Sequence, residues 1–100
     1  MSEDSVRIPV DGLRKALDML LRHVGTQAGE LLEVEHDYFW SVAPNELTNV
    51  YERPNELTVG QVSEAWQNLA EMLEDDSKVV GYGLVWLADV LRTMGVERVG

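Results

Sequence analysis

The stretch that decides the fold is LEVEHDYFWSVAPNELTNVYERPNELTVGQ, residues 32–61. In its first part, from Leu32 to Val42, apolar or aromatic residues and His36 alternate with mostly acidic residues. A period of two residues is typical of a β-strand that is covered on one face. Phe39 interrupts the polar side of this pattern, which indicates either aromatic side chains on both faces or a bend.

The pentapeptide PNELT occurs twice in this stretch, at residues 44–48 and 54–58. Each copy begins with proline and asparagine, which favour turns because proline fixes its own φ and asparagine bonds to nearby backbone. From within the first copy, the spacing of Glu46, Leu47, Val50 and Tyr51 predicts a single helical turn. From Leu57 to Gln61 the residues alternate and predict a strand. A repeat this short builds none of the common repeat architectures, so we interpret the duplication as turn chemistry used twice.

Two segments with an apolar stripe at helical spacing lie on either side of this stretch. The first is an amphipathic helix that Asp11 caps and Gly25 ends. The second covers residues 64–76 and begins after Ser63, which is a good N-cap residue. Its predicted inward residues are Trp66, Leu69, Ala70 and Leu73.

A third helix is predicted over about residues 79–94, ended by Gly95. It is apolar almost all round, which is typical of a helix at the centre of a fold or in an interface. Together the segments predict an α+β fold, in which three helices pack on a short antiparallel strand pair formed by residues 32–36 and 57–61. A mainly α fold is the alternative if the extended segments are irregular.

Residues 10–95 are expected to form a single globular domain, between a flexible lead at 1–9 and a C-terminal tail at 96–100. The chain contains no cysteine, which excludes disulfides, thiolate zinc sites and cysteine nucleophiles. A reducing, cytoplasmic location is therefore expected. The acidic N-terminal residues do not resemble a signal peptide, and no apolar run is long enough to span a bilayer.

The net charge of −10 is concentrated in one segment of the chain. Residues 31–76 contain eleven acidic residues and one basic residue, Arg53, while the flanking segments are nearly balanced. Such a negative field repels nucleic acid and anionic lipid, so we expect neither as a partner. It favours basic proteins or cations.

The sequence has no phosphate-binding loop, HExxH pair or GxSxG elbow, so we predict neither an enzyme nor a cofactor. Glu33, Glu35 and Asp37 would share one face of a strand and could hold a hard cation. Such a row is more often a solvated edge, and we assign no metal ligand. A cation-binding or hydrolytic protein that uses this row or the acids at 71–76 stays open as an alternative.

The acidic segment also contains aromatic residues with polar tips, a composition that is common on recognition surfaces. We therefore predict a non-enzymatic protein-binding module, of the immunity or inhibitor kind, with an acidic and aromatic face for a basic partner. The alternative is a homodimer or larger homo-oligomer built on the apolar C-terminal helix. The predicted interaction surface consists of Glu33, Glu35, Asp37, Tyr38, Trp40, Tyr51, Glu71, Glu74, Asp75 and Asp76.

Three motifs occur in an order that carries a resemblance. They are DYFW at 37–40, VGQVS at 59–63 before a tryptophan-containing helix, and the final apolar helix before Gly95. This order resembles a family of small uncharacterised bacterial proteins with a DYYW-type stretch, a GQL or GSL turn and a C-terminal helix ending in glycine. The resemblance covers about residues 30–95. Phe39 replaces the usual second tyrosine, and Ala65 stands where an acid is expected. The resemblance implies a compact domain and no particular activity.

Overall fold

The computed structural model describes residues 5–75 and 81–99, which contain four helices and two strands. In chain order the elements are α1 (Val10–Ala28), β1 (Tyr38–Val42), α2 (Pro44–Leu47), β2 (Leu57–Gln61), α3 (Val62–Glu74) and α4 (Gly81–Val99). The predicted α+β fold is confirmed, and the short α2 overlaps the predicted helical turn only at Glu46 and Leu47. The chain divides into two compact units, Met1–Glu33 and Val34–Gly100, whereas the sequence predicted one domain over residues 10–95.

Helix α1 belongs to the first unit and is longer than predicted. Gly25, the predicted end, lies inside the helix, because a glycine weakens a helix by only about 1 kcal/mol relative to alanine. The helix ends before Gly29, whose φ of 79° lies in the region that favours glycine. The N–H of Gly29 donates to the carbonyl of Gly25 at 2.8 Å and closes the last turn.

Asp11 does not cap α1, which corrects a second detail of the prediction. Pro9 occupies the N-cap position without a side-chain cap bond, and Asp11 lies in the first helical turn. There its negative charge suits the helix dipole, and its carboxylate forms exposed ion pairs with Lys15 at 3.2 Å and Arg14 at 3.6 Å. Much of the predicted apolar stripe is exposed, including the side chains of Leu13, Leu20 and Leu21.

The two strands pair antiparallel, as predicted, but the first strand was misplaced in the prediction. Strand β2 has the predicted bounds, whereas its partner is Tyr38–Val42 and residues 32–36 form no strand. The register explains the difference, because Tyr38 lies opposite Gln61, the last residue of β2. Residues before Tyr38 therefore extend past the end of β2 and find no strand to pair with.

The alternation predicted that Tyr38 and Trp40 lie on the covered face of the strand, and the structure shows the reverse. Phe39 and Ser41 are partly covered, while Tyr38 and Trp40 are largely exposed. Phe39 lies directly opposite Gly60 in the register, and a Cβ atom built at Gly60 would lie 2.5 Å from the Phe39 ring. The glycine thus leaves the space that the aromatic ring fills, and this contact sets which face of the strand is covered.

Helix α3 supplies most of the core of the second unit. It begins at Val62, so Ser63 lies in the first turn and is not the N-cap residue that the sequence predicted. The buried apolar residues in the described ranges 5–75 and 81–99 are Val62, Ala65, Leu69 and Met94. Trp66 and Leu73, predicted to point inward, are 54% and 72% exposed, because the buried stripe follows Val62 and Ala65.

Helix α4 continues through Gly95 to Val99. The predicted helix end at Gly95 is therefore wrong, and residues 96–99 of the predicted tail at 96–100 belong to the helix. Its N-terminal half packs on α3, where a Cβ atom at the buried Gly83 would lie 2.8 Å from the sulfur of Met72. Its C-terminal turn carries a hydrogen bond from Arg98 to the carbonyl of Met94 at 3.2 Å. A basic side chain at this end also suits the helix dipole.

The Phe39–Gly60 contact predicts the effect of a single methyl group. Gly60→Ala should lower the free energy of unfolding by about 1–3 kcal/mol, because the ring has to leave its rotamer or the strands have to separate. Urea denaturation measures this loss. Gly25→Ala is the matched control, since a Cβ there meets nothing within 4 Å and alanine favours the helix. Equal stability of wild type and Gly60→Ala would contradict the assigned packing.

Candidate functional site

An apolar groove with a volume of about 810 Å³ lies in the second unit. Strand β1 and the following helix α2 form one wall, and residues of α4 between Val85 and Glu97 form the other. Its apolar and aromatic lining residues are Tyr38, Phe39, Trp40, Val42, Pro44, Leu47, Val85, Ala88 and Val96. We call this feature the apolar groove.

Two of the three aromatic residues that line the groove, Tyr38 and Trp40, are largely exposed. Trp40 is 73% exposed and Tyr38 is 66% exposed, although both belong to a strand that packs through its other face. They are exposed because Phe39 takes the covered position opposite Gly60, and neighbouring residues of a strand point to opposite faces. Large apolar surface in contact with water is a common property of sites that bind another molecule.

One end of the groove is closed by a carboxylate that the sequence analysis placed in a tail. Glu97 accepts hydrogen bonds from the backbone N–H groups of Glu35 at 3.2 Å and His36 at 2.8 Å. It also accepts one from Nδ1 of His36 at 2.8 Å. An ionised carboxylate can only accept, so Nδ1 carries the hydrogen. We call these three contacts the Glu97 clamp.

The Glu97 clamp changes the acidity of Glu97. The hydrogen bond from the His36 side chain is the main cause that lowers the pKa of Glu97 below its ordinary value of 4.5. Burial of this side chain, which is 13% exposed, acts in the opposite direction, while the two backbone hydrogen bonds add to the lowering. The charged form is therefore favoured in the folded protein. Sequence reasoning missed this residue because nothing near Glu97 in the chain indicates its partners.

Asp37 anchors the next residue of the same segment to the start of α3. Its carboxylate accepts from the backbone N–H of Ser63 at 2.7 Å and from the Ser63 hydroxyl at 2.9 Å. Its own carbonyl accepts from the N–H of Val62 at 2.7 Å. The N-cap residue Gln61 makes no side-chain cap bond, so Asp37 takes the capping role from a distant part of the chain.

The structure does not bring the predicted interaction surface together. Tyr38, Trp40 and Glu35 line the apolar groove, and Asp37 is engaged as the cap of α3. The predicted acids of α3, Glu71 and Glu74, lie near its C-terminal end, about 12–18 Å along the helix axis from the residues that Asp37 caps. That distance exceeds the screening length of about 8 Å at physiological ionic strength. The acids assigned to this end are Glu71, Glu74 and Asp75.

The remaining predicted residues lie elsewhere. Tyr51 is almost fully exposed in the loop between α2 and β2, and it does not line the apolar groove. Glu33 is exposed and belongs to the first unit, while Asp76 lies outside the described residues. Glu33, Glu35 and Asp37 form no carboxylate row, because residues 32–36 are not a strand.

The part of the chain that the structure describes contains neither a cluster of metal-ligating side chains nor a membrane-spanning helix. Over residues 5–75 and 81–99, no three acidic or histidine side chains converge as ligands for a metal ion. Within the same ranges, no helix has an apolar run long enough to cross a membrane. The groove itself holds an aromatic and aliphatic lining with a few polar groups at its edges, which suits apolar contacts.

The sequence matches no family model, and no curated protein or solved structure shows significant similarity to it. The resemblance to a family of small bacterial proteins therefore stays a prediction. Any function has to be argued from the site itself.

The cap by Asp37 predicts a graded loss of stability. Asp37→Ala should lower the free energy of unfolding by about 1–2 kcal/mol, because α3 loses its capping acceptor. Ser63→Ala is the matched control. It removes only the hydroxyl bond, so it should cost less than Asp37→Ala. Urea denaturation of the two variants decides the order, and a larger loss for Ser63→Ala would contradict capping by Asp37.

The Glu97 clamp predicts a pH dependence with a defined sign. Because folding lowers the pKa of Glu97, its contribution is complete above its ordinary value of 4.5 and is lost as the pH falls through the lower folded value. Wild type should therefore be more stable than Glu97→Gln at pH 7, and the difference should shrink below about pH 4.5. Denaturation midpoints from pH 7 to pH 3 measure this, with Glu52→Gln as an exposed-acid control. A difference that is constant with pH would contradict the clamp.

Proposed function

We propose that the protein is a non-enzymatic protein-binding module that binds its partner in the apolar groove. The observation that carries this proposal is the pair of exposed aromatic side chains, Tyr38 and Trp40, on one wall of the groove. Tyrosine and tryptophan are enriched at the centres of protein interfaces, where they bury a large area at low cost in conformational entropy.

The shape and lining of the groove favour a polypeptide over a small molecule. Two elements form the long walls, and the wall of α4 extends from Val85 to Glu97. A segment of another protein could lay several apolar side chains along such a wall. The polar groups at the end of the groove already bind one another in the Glu97 clamp, so few free donors converge there to orient a small ligand.

Charge has a secondary role in this proposal. The basic partner predicted from the sequence assumed one acidic surface, but the predicted acids lie at both ends of α3. At the groove, Glu35 and Asp89 are accompanied by Arg92, and Glu97 is engaged in its clamp. Affinity should therefore come mainly from apolar contacts, while the net charge of −10 affects how fast charged partners associate.

Homo-oligomerisation is a second candidate, and one specific observation favours it. Helix α4 carries exposed apolar residues, among them Leu84, which is 75% exposed. An interface between two copies and a binding site for a partner are both protein-binding functions, and they differ in the identity of the partner.

A peptide selection tests the proposed function. Peptides selected from a displayed random library on the full-length protein should bind with apolar residues, and Trp40→Ala should weaken them by at least about tenfold. Trp66→Ala is the matched control, because Trp66 is also exposed but does not line the groove. Affinities are measured by fluorescence anisotropy. Peptides that respond equally to both variants, or no selected peptide at all, would overturn the proposal.

A further inference from the structure

The free edge of β1 carries backbone groups that have no partner. The N–H of Val62 donates to the carbonyl of Asp37 at 2.7 Å, and these two residues continue the register of the two strands by one position. Hydrogen-bonded and non-hydrogen-bonded pairs alternate along an antiparallel sheet, so Tyr38, Trp40 and Val42 direct their N–H and carbonyl groups away from β2. Within residues 5–75 and 81–99, none of these groups forms a hydrogen bond.

The apolar groove runs along this free edge. All five residues of β1 line the groove, whichever face of the strand their side chains take, whereas no residue of β2 does. A groove that touches both faces of one strand and no part of its neighbour lies beside the edge that the neighbour leaves open. The wall across the groove is α4 from Val85 to Glu97, so the edge of β1 lies opposite a helix.

The dimensions of the groove match a short extended segment. Strand β1 has five residues, which corresponds to about 17 Å of extended chain. The wall of α4 from Val85 to Glu97 is about 18 Å long. Strand β1 contains neither a charged residue nor proline, the residues that commonly block the edges of natural sheets. A partner segment of about five extended residues could therefore pair with β1 along its whole length.

Asp89 gives the groove a charge preference. It lines the groove together with Phe39 and Ser41, which are partly covered residues of β1. Among the residues that the structure describes, its carboxylate forms no ion pair. Burial raises the pKa of Asp89, and the nearby Arg92 opposes that rise. A lysine or arginine of a bound segment would stabilise the charged carboxylate, so the groove is complementary to an apolar segment with one basic residue.

We propose, resting on the proposed function, that the partner enters the apolar groove as an extended segment of another protein and adds a third strand to the sheet along β1. Its backbone bonds the open N–H and carbonyl groups of Tyr38, Trp40 and Val42, while its alternate side chains determine which sequences bind. One set of side chains packs on the α4 wall at Val85, with a basic residue beside Asp89. The other set lies beside the exposed ring of Trp40.

A second copy of the chain matches this edge less well than a segment of another protein. Each copy carries a net charge of −10, so like charges oppose the approach of two copies. A second β1 also brings its own α4 along the same edge, where the first copy already has an α4 wall. A segment with a basic residue and no such wall meets neither obstacle.

Hydrogen exchange at single amides tests strand addition. The probe is the tightest peptide selected from the displayed library, added at saturation to the full-length protein. The amides of Tyr38, Trp40 and Val42 should exchange at least about tenfold more slowly in the complex, because they gain acceptors. Val59 is the matched control, since it lies opposite Trp40 and its N–H leaves the far edge of β2. NMR resolves each amide.

The same measurement separates this inference from the proposed function. A Trp40-dependent peptide that leaves these amides unprotected, or that protects Val59 equally, overturns strand addition and leaves the proposed function in place. A library that yields no binding peptide overturns both. Protection of the β1 amides in the protein alone, rising with protein concentration, would show a second copy at the edge and overturn the partner proposed here.

Backbone changes test the bonds from both sides. N-methylation of the peptide at single residues should weaken binding by at least about tenfold at every second position, because only alternate amides of a strand face β1. In the protein, Val42→Pro removes one open N–H and should weaken the peptide more than Val42→Ala, which keeps it. Fluorescence anisotropy measures binding, and circular dichroism checks that both variants are folded. N-methyl effects without a period of two contradict a bound strand.

Asp89→Asn tests the basic residue. The substitution should weaken a selected peptide that contains lysine by at least about threefold, because the facing charge is lost. The same peptide with methionine in place of lysine is the matched control and should bind both proteins equally. Equal losses for the two peptides overturn the charge preference.

Discussion

The carboxylate of Asp37 is the interaction on which the second unit depends. It joins the residue before β1 to the first turn of α3, and its backbone carbonyl bonds the neighbouring N–H of Val62. A cap provided by a distant residue does two things at once, because it satisfies the free N–H groups of the helix and fixes where the strand enters. The register of the sheet follows, since Tyr38 must then lie opposite Gln61.

The Glu97 clamp holds the same segment from the other side. Glu35 and His36 donate their backbone N–H groups to a side chain on the last turns of α4, directly before Asp37 reaches α3. Consecutive residues thus bind two different helices, and β1 leaves this junction with its direction fixed. This is why Trp40 keeps its place on the wall of the apolar groove although little covers it. Rigid support for an exposed aromatic residue lowers the entropy lost on binding.

Local patterns predicted the local parts of this fold, and partners far along the chain decided the rest. The turn at Pro44 and the strand at 57–61 were predictable because proline, asparagine and alternation act within a few residues. The alternation of residues 32–42 could not show which half would find a partner strand. Glu97 was assigned to a tail, because its partner His36 lies 61 residues earlier in the chain. Tyr38 and Trp40 were therefore named from the sequence as candidate surface residues. Glu97, which closes one end of the groove, was not.

The small core of the second unit gives the apolar groove a structural as well as a functional meaning. Among the described residues, four apolar side chains are buried, and three of them lie on α3. A unit of this size is near the lower limit at which one core can stabilise a fold alone. Helix α4 leaves apolar residues such as Leu84 and Val96 exposed, and each Å² of apolar surface left in water forgoes about 25 cal/mol. Any contact that buries these exposed side chains would therefore stabilise the fold as well.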